Sequence, residues 1–309
     1  MTADAEVAIL LSTYQGERFL TGQLRSFLDQ SHARWTLFWR DDGSTDGSAR
    51  LLREFADTAG HDVVCLPGSR KGAMGSFLAL LAAVRAVAQT GTSIYAFADQ
   101  DDVWLVDKLA RGVAALATSA ASVPAIYCAG QILVDRELRR TGRSARLRSL
   151  PGFPAALTQN IATGCTVMLN TAATDLVLAS RPPADTLHDW WCYLVVSAAG
   201  GRVIADPEPV VLYRQHGGNL VGAPAGLLAR GLAAIRRGPR AFMARLRLHV
   251  GALEAQPQLL TPAARRDLGV IARALRAGLP GRLAALRLAG FRRQGLLENA
   301  VFRLWFSLG

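Results

Sequence analysis

Short apolar runs and longer amphipathic stretches take turns along the first two thirds of the chain. The runs at 7–13 (VAILLST), 35–40 (WTLFWR), 62–66, 94–98 (IYAFA), 125–134 (AIYCAGQILV), 165–169 and 202–206 have the length and composition of strands. Between them, 17–30, 45–59, 73–89, 105–118, 171–180 and 189–199 carry helical spacing. Ser44 is placed to cap the second helix and Gly60 to stop it. This alternation predicts an α/β domain, and no segment repeats.

The pattern changes across 207–222. Beyond it, Leu228, Leu232 and Ile235 share a helical face against Arg230 and Arg237. Phe242, Leu246, Val250 and Leu253 continue in the same style, and Leu297, Val301, Leu304, Trp305 and Phe306 close it. Two domains are therefore expected: an α/β unit over 1–222 and a basic, amphipathic helical region over 223–309.

Charge sharpens that division. The 309 residues carry a formal net charge of +11. From Gly226 onward there are 15 arginines and 3 acids, so the α/β unit is nearly neutral. The basic region reads in two ways. It packs on the domain with solvated arginines, or it lays basic amphipathic helices on an anionic membrane surface. Nucleic acid is excluded as a partner, since the region has no interleaved aromatics and no binding motif.

No apolar run reaches the roughly 18–20 residues of a membrane-spanning helix. The longest candidate, 73–98, is cut by Arg85 and by polar 89–93. The opening MTADAEVAILLSTY lacks a basic n-region, so no secretory leader is expected. Cys65, Cys128, Cys165 and Cys192 match no zinc or redox spacing and are expected to be buried, reduced thiols of a cytoplasmic protein.

Candidate chemistry sits at the ends of strands, where open α/β sheets hold their ligands. STYQGE (12–17) puts a hydroxyl, an aromatic and a glycine at a strand-to-helix turn, which suits either an ordinary turn or contact with a base and a phosphate. RDDGSTDGS (40–48) places Asp41 and Asp42 side by side. Capping accounts for Ser44 and Asp46 but not for both of that pair, one of which suits the ring N–H of a pyrimidine. SRKGAMGS (69–76) opens a helix with two cations and two glycines, either for a pyrophosphate or as a solvated basic turn. FADQDDVWLVDKL (97–109) crowds Asp99, Asp101 and Asp102 behind a buried strand. Three carboxylates there repel unless a cation joins them, and alternation points Asp99 and Asp101 the same way if the strand persists. A hard divalent ion bound with substrate phosphate oxygens fits; capping of the next helix is the plainer use.

Taken in order, STYQGE, DDGSTD, DQDD with WLVDKL, HDWW and YRQHGGN make residues 6–222 resemble the inverting family 2 glycosyltransferases. The nearest character is the bacterial rhamnosyltransferase-like branch, which builds cell-surface polysaccharides. The resemblance implies a GT-A fold, that is, a Rossmann-like, mixed, mostly parallel sheet flanked by helices, here with a C-terminal helical extension. It implies Mn²⁺ or Mg²⁺, a nucleoside-diphosphate sugar donor (dTDP-L-rhamnose or a UDP-sugar) and a glycan or lipid-linked acceptor. The setting it implies is the cytoplasm, at the inner face of the membrane. Ser12, Tyr14, Asp41 and Asp42 then hold base and ribose, with Glu17, Lys71, Gly72, Asp99 and Gln100 completing the nucleotide-sugar site. Asp101 and His216 take the metal, and Asp189 is the catalytic base. Thr163, Gly164, His188, Trp190 and Trp191 line the donor or acceptor sugar; core packing remains open for the tryptophans, and ordinary hydrogen bonding for the two histidines. The chain departs from the family pattern at Gln100, within the acidic motif, and at His188, where a glutamate is common. A sugar-phosphate nucleotidyltransferase and a non-catalytic sugar-nucleotide-binding module are the rival readings.

Overall fold

The computed structural model describes residues 5–87, 92–216 and 227–309, with backbone alone over 227–237. Its strands are β1 (Glu6–Thr13), β2 (Trp35–Asp41), β3 (Val63–Cys65), β4 (Thr92–Ala98), β5 (Val103–Trp104), β6 (Ala125–Val134), β7 (Arg140–Arg143), β8 (Met168–Asn170) and β9 (Arg202–Arg214). They form one sheet in the order β3-β2-β1-β4-β8-β6-β9-β5, with β7 paired to β6. The half β3-β2-β1-β4 is parallel; β8 runs antiparallel to both β4 and β6. The carboxyl ends of β1, β2 and β4 therefore open side by side onto one crevice.

Helices α1 (Glu17–Leu28), α2 (Ser48–Thr58), α3 (Gly72–Val87), α4 (Lys108–Ala117), α5 (Thr171–Ala179) and α6 (His188–Ala198) cover the sheet. Side-chain alternation along β1 sends Val7, Ile9 and Leu11 to one face, where Leu20, Leu24 and Phe27 of α1 meet them. Ala8 and Leu10 go to the other face, with Phe77 of α3 and the apolar side of α6.

Four further helices follow: α7 (Leu227–Glu254), α8 (Pro262–Arg276), α9 (Leu279–Ala285) and α10 (Leu296–Leu308). Gly238 breaks α7 with a positive φ of 73°, and Pro239 behind it has no N–H to rejoin the ladder. Leu246, Val250, Leu253, Ile271, Phe302 and Phe306 from these helices are buried in the same cluster as Trp191 and Leu194 of α6. Each such side chain contributes about 1.5–3 kcal/mol on burial. The C-terminal helices thus pack on the α/β unit with one continuous core. The expected stripe of Leu228, Leu232 and Ile235 lies outside the described side chains, as does Gly217–Gly222 outside the described residues. No helix among the described residues is long and apolar enough to cross a membrane.

Several local expectations are corrected. Helix α2 starts at Ser48 behind Gly47, not at Ser44, because Ser44 is consumed by the preceding turn. Residues 164–166 form a 3₁₀ turn, so the strand expected at 165–169 is shortened to β8. The strand expected at 202–206 runs on to Arg214, while β5 is only two residues long and the polar β7 carries no apolar signal of its own. Cys65 is exposed, since β3 is an edge strand; the other three cysteines are buried.

Candidate active site

Two loops at the top of the sheet are laced together. Gln15, in the left-handed region at φ 52°, donates its N–H to Ser44 Oγ at 2.9 Å, and its side-chain oxygen accepts the N–H of Thr45. Asp46 accepts from the backbone N–H of Glu17 and of Ser48, so one carboxylate serves the starts of both α1 and α2. Glu17, placed in the nucleotide site by resemblance, is turned away to Gly47 N–H at 2.9 Å and to Arg50. Of the aspartate pair, Asp42 is buried and accepts from Lys71 N–H, Gly72 N–H and Ser76 Oγ at 2.7–2.8 Å. These bonds and the Arg40 guanidinium outweigh the effect of burial and hold its proton affinity below the ordinary range. Asp42 therefore anchors the 68–72 loop and has little left for a base. Asp41 is engaged locally by Ser44 N–H and Oγ and stays half-buried at the cleft. Tyr14 is exposed, and the guanidinium of Arg70 lies 4.6 Å from its ring centroid. Sequence reasoning counts Arg70 with Lys71 as a cation for a pyrophosphate, and the structure instead sets it over the Tyr14 ring.

The strand does not persist through the acidic motif. Chain reversal after Ala98 places Gln100 and Asp101 in a turn, so the two-residue alternation lapses. Gln100 bridges to the first loop: its oxygen accepts from Thr13 Oγ1 and Tyr14 N–H, and its nitrogen donates to Tyr14 C=O. Asp101 Oδ2 meets His216 Nε2 at 2.7 Å, and the His216 ring rests on Phe19 with centroids 4.9 Å apart. Asp102 is fully buried, accepts the N–H of Arg214 at 3.0 Å and leaves Oδ2 unpartnered. It caps no helix; Asp107 occupies that position before α4. Arg214, also unremarked from sequence, donates Nε–H to the carbonyl of Asp101 at 2.7 Å and so ties β9 to the turn.

Electrostatics make this turn a place for a cation. Burial, then Asp102, Asp101 and Asp189, push the half-buried Asp99 well above the carboxylate range. Burial and then Asp101 push Asp102 up to about 7. Lys108, buried against the face of Trp104, is driven far down by burial and finds no hydrogen-bond partner. Asp99, Asp102 and Cys165 each offer an atom within 4.8 Å of the others. Burial holds the proton on Cys165, and hard cations choose oxygen over sulfur. The carboxylates and His216 are therefore the donors that suit a hard divalent ion.

Asp189 lies in the first turn of α6, nearly buried. Its Oδ2 accepts Gly164 N–H at 2.9 Å and its Oδ1 accepts Trp190 N–H at 2.6 Å. Burial raises its proton affinity to a pKa of about 6 against the pull of these bonds and of Asn160, a partner that sequence reasoning misses. Asp189 also figures among the charges felt by Asp99, which sets the two carboxylates near one another. His188 stacks on Phe77 at 4.1 Å, and burial drops its pKa to about 3, leaving a neutral ring beside Gly164. Thr163 lies half-buried in the same loop. Of the tryptophans, Trp191 points into the core and donates to Ser180 Oγ, which removes it from any sugar. Trp190 is half-buried, donates Nε1–H to Ala156 C=O and presents its face to the edge of His249.

A mixed sheet with an acidic turn at the end of a central parallel strand is the GT-A fold. Residues 8–175, more than half of the chain, match the model of Glycosyl transferase family 2, and the chain belongs to that family. The dTDP-rhamnosyl transferase RfbG of Shigella flexneri is 28% identical over 234 residues, 71% of this chain and 76% of that protein. The UDP-Glc:alpha-D-GlcNAc-diphosphoundecaprenol beta-1,3-glucosyltransferase WfgD of Escherichia coli is 31% identical over 107 residues, 34% of this chain and 39% of its own. The fold is that of S. aureus TarS 1–349 in complex with UDP-GlcNAc (TM-score 0.59, 14% identity, 91% of this chain and 79% of that one). The mannosyltransferase PcManGT of Pyrobaculum calidifontis, in complex with GDP-Man and Mn²⁺, gives a TM-score of 0.51 at 19% identity over 97% of this chain and 87% of its own.

Proposed function

We propose that this glycosyltransferase moves a sugar from a nucleoside diphosphate to an acceptor hydroxyl with inversion, Asp189 acting as base. The observation that carries the reading is the buried Asp189, at a pKa of about 6, across one cleft from Asp99 and Asp101. A carboxylate in this range takes a proton near neutral pH better than an exposed one does. Gly164 N–H and Trp190 N–H each hold one of its two oxygens.

The other roles follow the geometry. Tyr14, propped by Arg70 and by the Gln100 amide, offers a face for the base, with Ser12 and Asp41 beside the ribose. Lys71 and the start of α3 at Gly72 supply positive charge for the diphosphate. Asp101 and His216, with Asp99, would hold Mn²⁺ or Mg²⁺, which would supply positive charge against the leaving diphosphate. Thr163, Gly164, neutral His188 and Trp190 enclose the sugar, and the acceptor hydroxyl approaches Asp189 from the opposite side.

The donor is a dTDP- or UDP-sugar, dTDP-L-rhamnose first among them, since RfbG is named for that chemistry. The acceptor is a glycan or lipid-linked glycan used in cell-surface polysaccharide synthesis, a class to which WfgD's named acceptor belongs. The work is done in the cytoplasm, residues 1–222 forming the catalytic unit and 223–309 its basic helical complement. A thermal-shift screen of nucleotide sugars with and without Mn²⁺ tests the donor. A melting temperature that rises with one nucleotide sugar only when the metal is present supports the reading. No response to any of them rejects the reading, and a response without any slow donor hydrolysis favours the non-catalytic binding module.

A further inference from the structure

Helix α10 is apolar on two sides. Phe302 and Phe306 point into the core, while Leu297, Leu304 and Leu308 face out, the last 74% exposed. A helix facing water on that side has no use for leucine there. Leu296, at the start of the helix, is 78% exposed. The loop before α10 is bolted to a distant loop that repeats the pattern. The Gln294 side chain accepts the N–H groups of Arg148 and Ser149 at 2.8 and 2.9 Å and donates to the carbonyl of Ser149. That staple sets Leu150, 91% exposed, beside the start of α10. Two segments 145 residues apart in sequence thus present leucines on one surface. Exposed leucines gathered on one surface mark an interaction site.

Charge says what covers the patch. Arg148 and Arg292 flank it, both exposed and without a carboxylate partner among the described residues. The nearest acid, Glu298, is turned inward to Gln159 and Arg293. A second copy of the chain would set these arginines against their own images. An anionic lipid surface takes both the leucines and the guanidinium groups.

The patch is also wired to the acceptor side of the cleft. Thr158 Oγ1 donates to Arg292 C=O, Gln294 N–H donates to Gln159 Oε1, and the next residue, Asn160, bonds to the base Asp189. We infer that the surface made by Leu150, Leu296, Leu297, Arg148 and Arg292 docks the enzyme on an anionic phospholipid bilayer. Docking there brings the loop that holds the base to the surface where a lipid-linked acceptor sits. The inference rests on the glycosyltransferase reading only for that last consequence.

Flotation of the full chain with phosphatidylglycerol/phosphatidylcholine vesicles, and with phosphatidylcholine alone, tests the docking without any assay of transfer. The protein should float with the anionic vesicles only, and added salt should release it. Replacing Arg148→Gln or Arg292→Gln should weaken binding about five-fold each. The pair Leu150→Glu with Leu296→Glu should weaken it at least roughly ten-fold, because the anchoring leucines are lost and acids are added. All of these side chains are exposed, so the melting temperature and donor hydrolysis without vesicles should stay at the wild-type level. Absence of flotation, equal flotation with neutral vesicles, or undiminished binding of the leucine variant overturns the inference. So does light scattering that finds a dimer which the leucine variant splits. Loss of donor hydrolysis in every form, with flotation intact, would instead reject the catalytic reading.

Discussion

Replacing the proposed base, Asp189→Asn, separates chemistry from stability. Its carboxyl is lifted from 3.8 to about 6 by burial. A group whose folded-state pKa is raised stabilises the fold below its unfolded value and loses that contribution as pH rises through the folded one. A rise of this size costs the wild type about 3 kcal/mol at about pH 8, and nothing at about pH 3. Asparagine carries no charge, so it escapes that cost. It also turns an N–H toward Gly164 N–H or Trp190 N–H, a penalty of about 1–3 kcal/mol that does not vary with pH. The absolute stability of the variant therefore mixes two effects, whereas its pH dependence isolates one. Denaturant melts across the pH range should show the variant gaining about 3 kcal/mol on the wild type from about pH 3 to about pH 8, most of it above about pH 4. Transfer should fall by about 10²–10⁴-fold with donor binding retained. Wild-type kcat/KM should fall about ten-fold per pH unit below the Asp189 pKa of about 6. A variant that stays active, or a stability difference flat with pH, refutes the assignment of a buried ionised base.

The remaining expectations are simpler to state. Asp101→Ala and His216→Ala should each abolish the Mn²⁺-dependent part of donor binding in calorimetry, leaving a weak metal-independent part; an unchanged Mn²⁺ response removes the pair from the metal site. Tyr14→Ala should raise the donor KM by roughly five- to hundred-fold, the range for loss of base stacking, with kcat little changed. In Gly164→Ala, the new methyl would sit 2.9 Å from His188 Nε2, so kcat should drop while the melting temperature falls by a few degrees; a neutral outcome would show that the loop yields freely. His249→Ala removes the partner of Thr186 Oγ1 and the edge contact to Trp190, and should cost about 2–4 kcal/mol in denaturant unfolding.

Strong periodicity makes the fold legible. The apolar runs of β1, β2, β4 and β6 can be read to within a residue or two because both faces of the sheet are covered, so apolar residues dominate each run. β7, with sequence RTGR, is held by hydrogen bonds to β6 rather than by its own side chains, so nothing in its residues announces a strand. The acidic turn is legible as chemistry because three carboxylates have no cheap structural use. The division of labour within it is not: Asp101 finds His216 from 115 residues away, and Asp102 is drawn under β9 by the N–H of Arg214. Asp42 misleads for a similar reason, since the amides it anchors belong to a loop 29 and 30 residues downstream. Asn160 and Arg70 gain their places only when loops distant in sequence converge.

The continuous core under α6 constrains what can be done with the molecule. Trp191 and Leu194 share their apolar neighbours with Phe302 and Phe306, so a chain cut after the sheet would present a raw greasy face where α7 and α10 had lain. Such a fragment should aggregate rather than serve as a minimal catalyst. The same join means that exchanging C-terminal helices between relatives requires re-fitting α6 as well, the helix that carries Asp189.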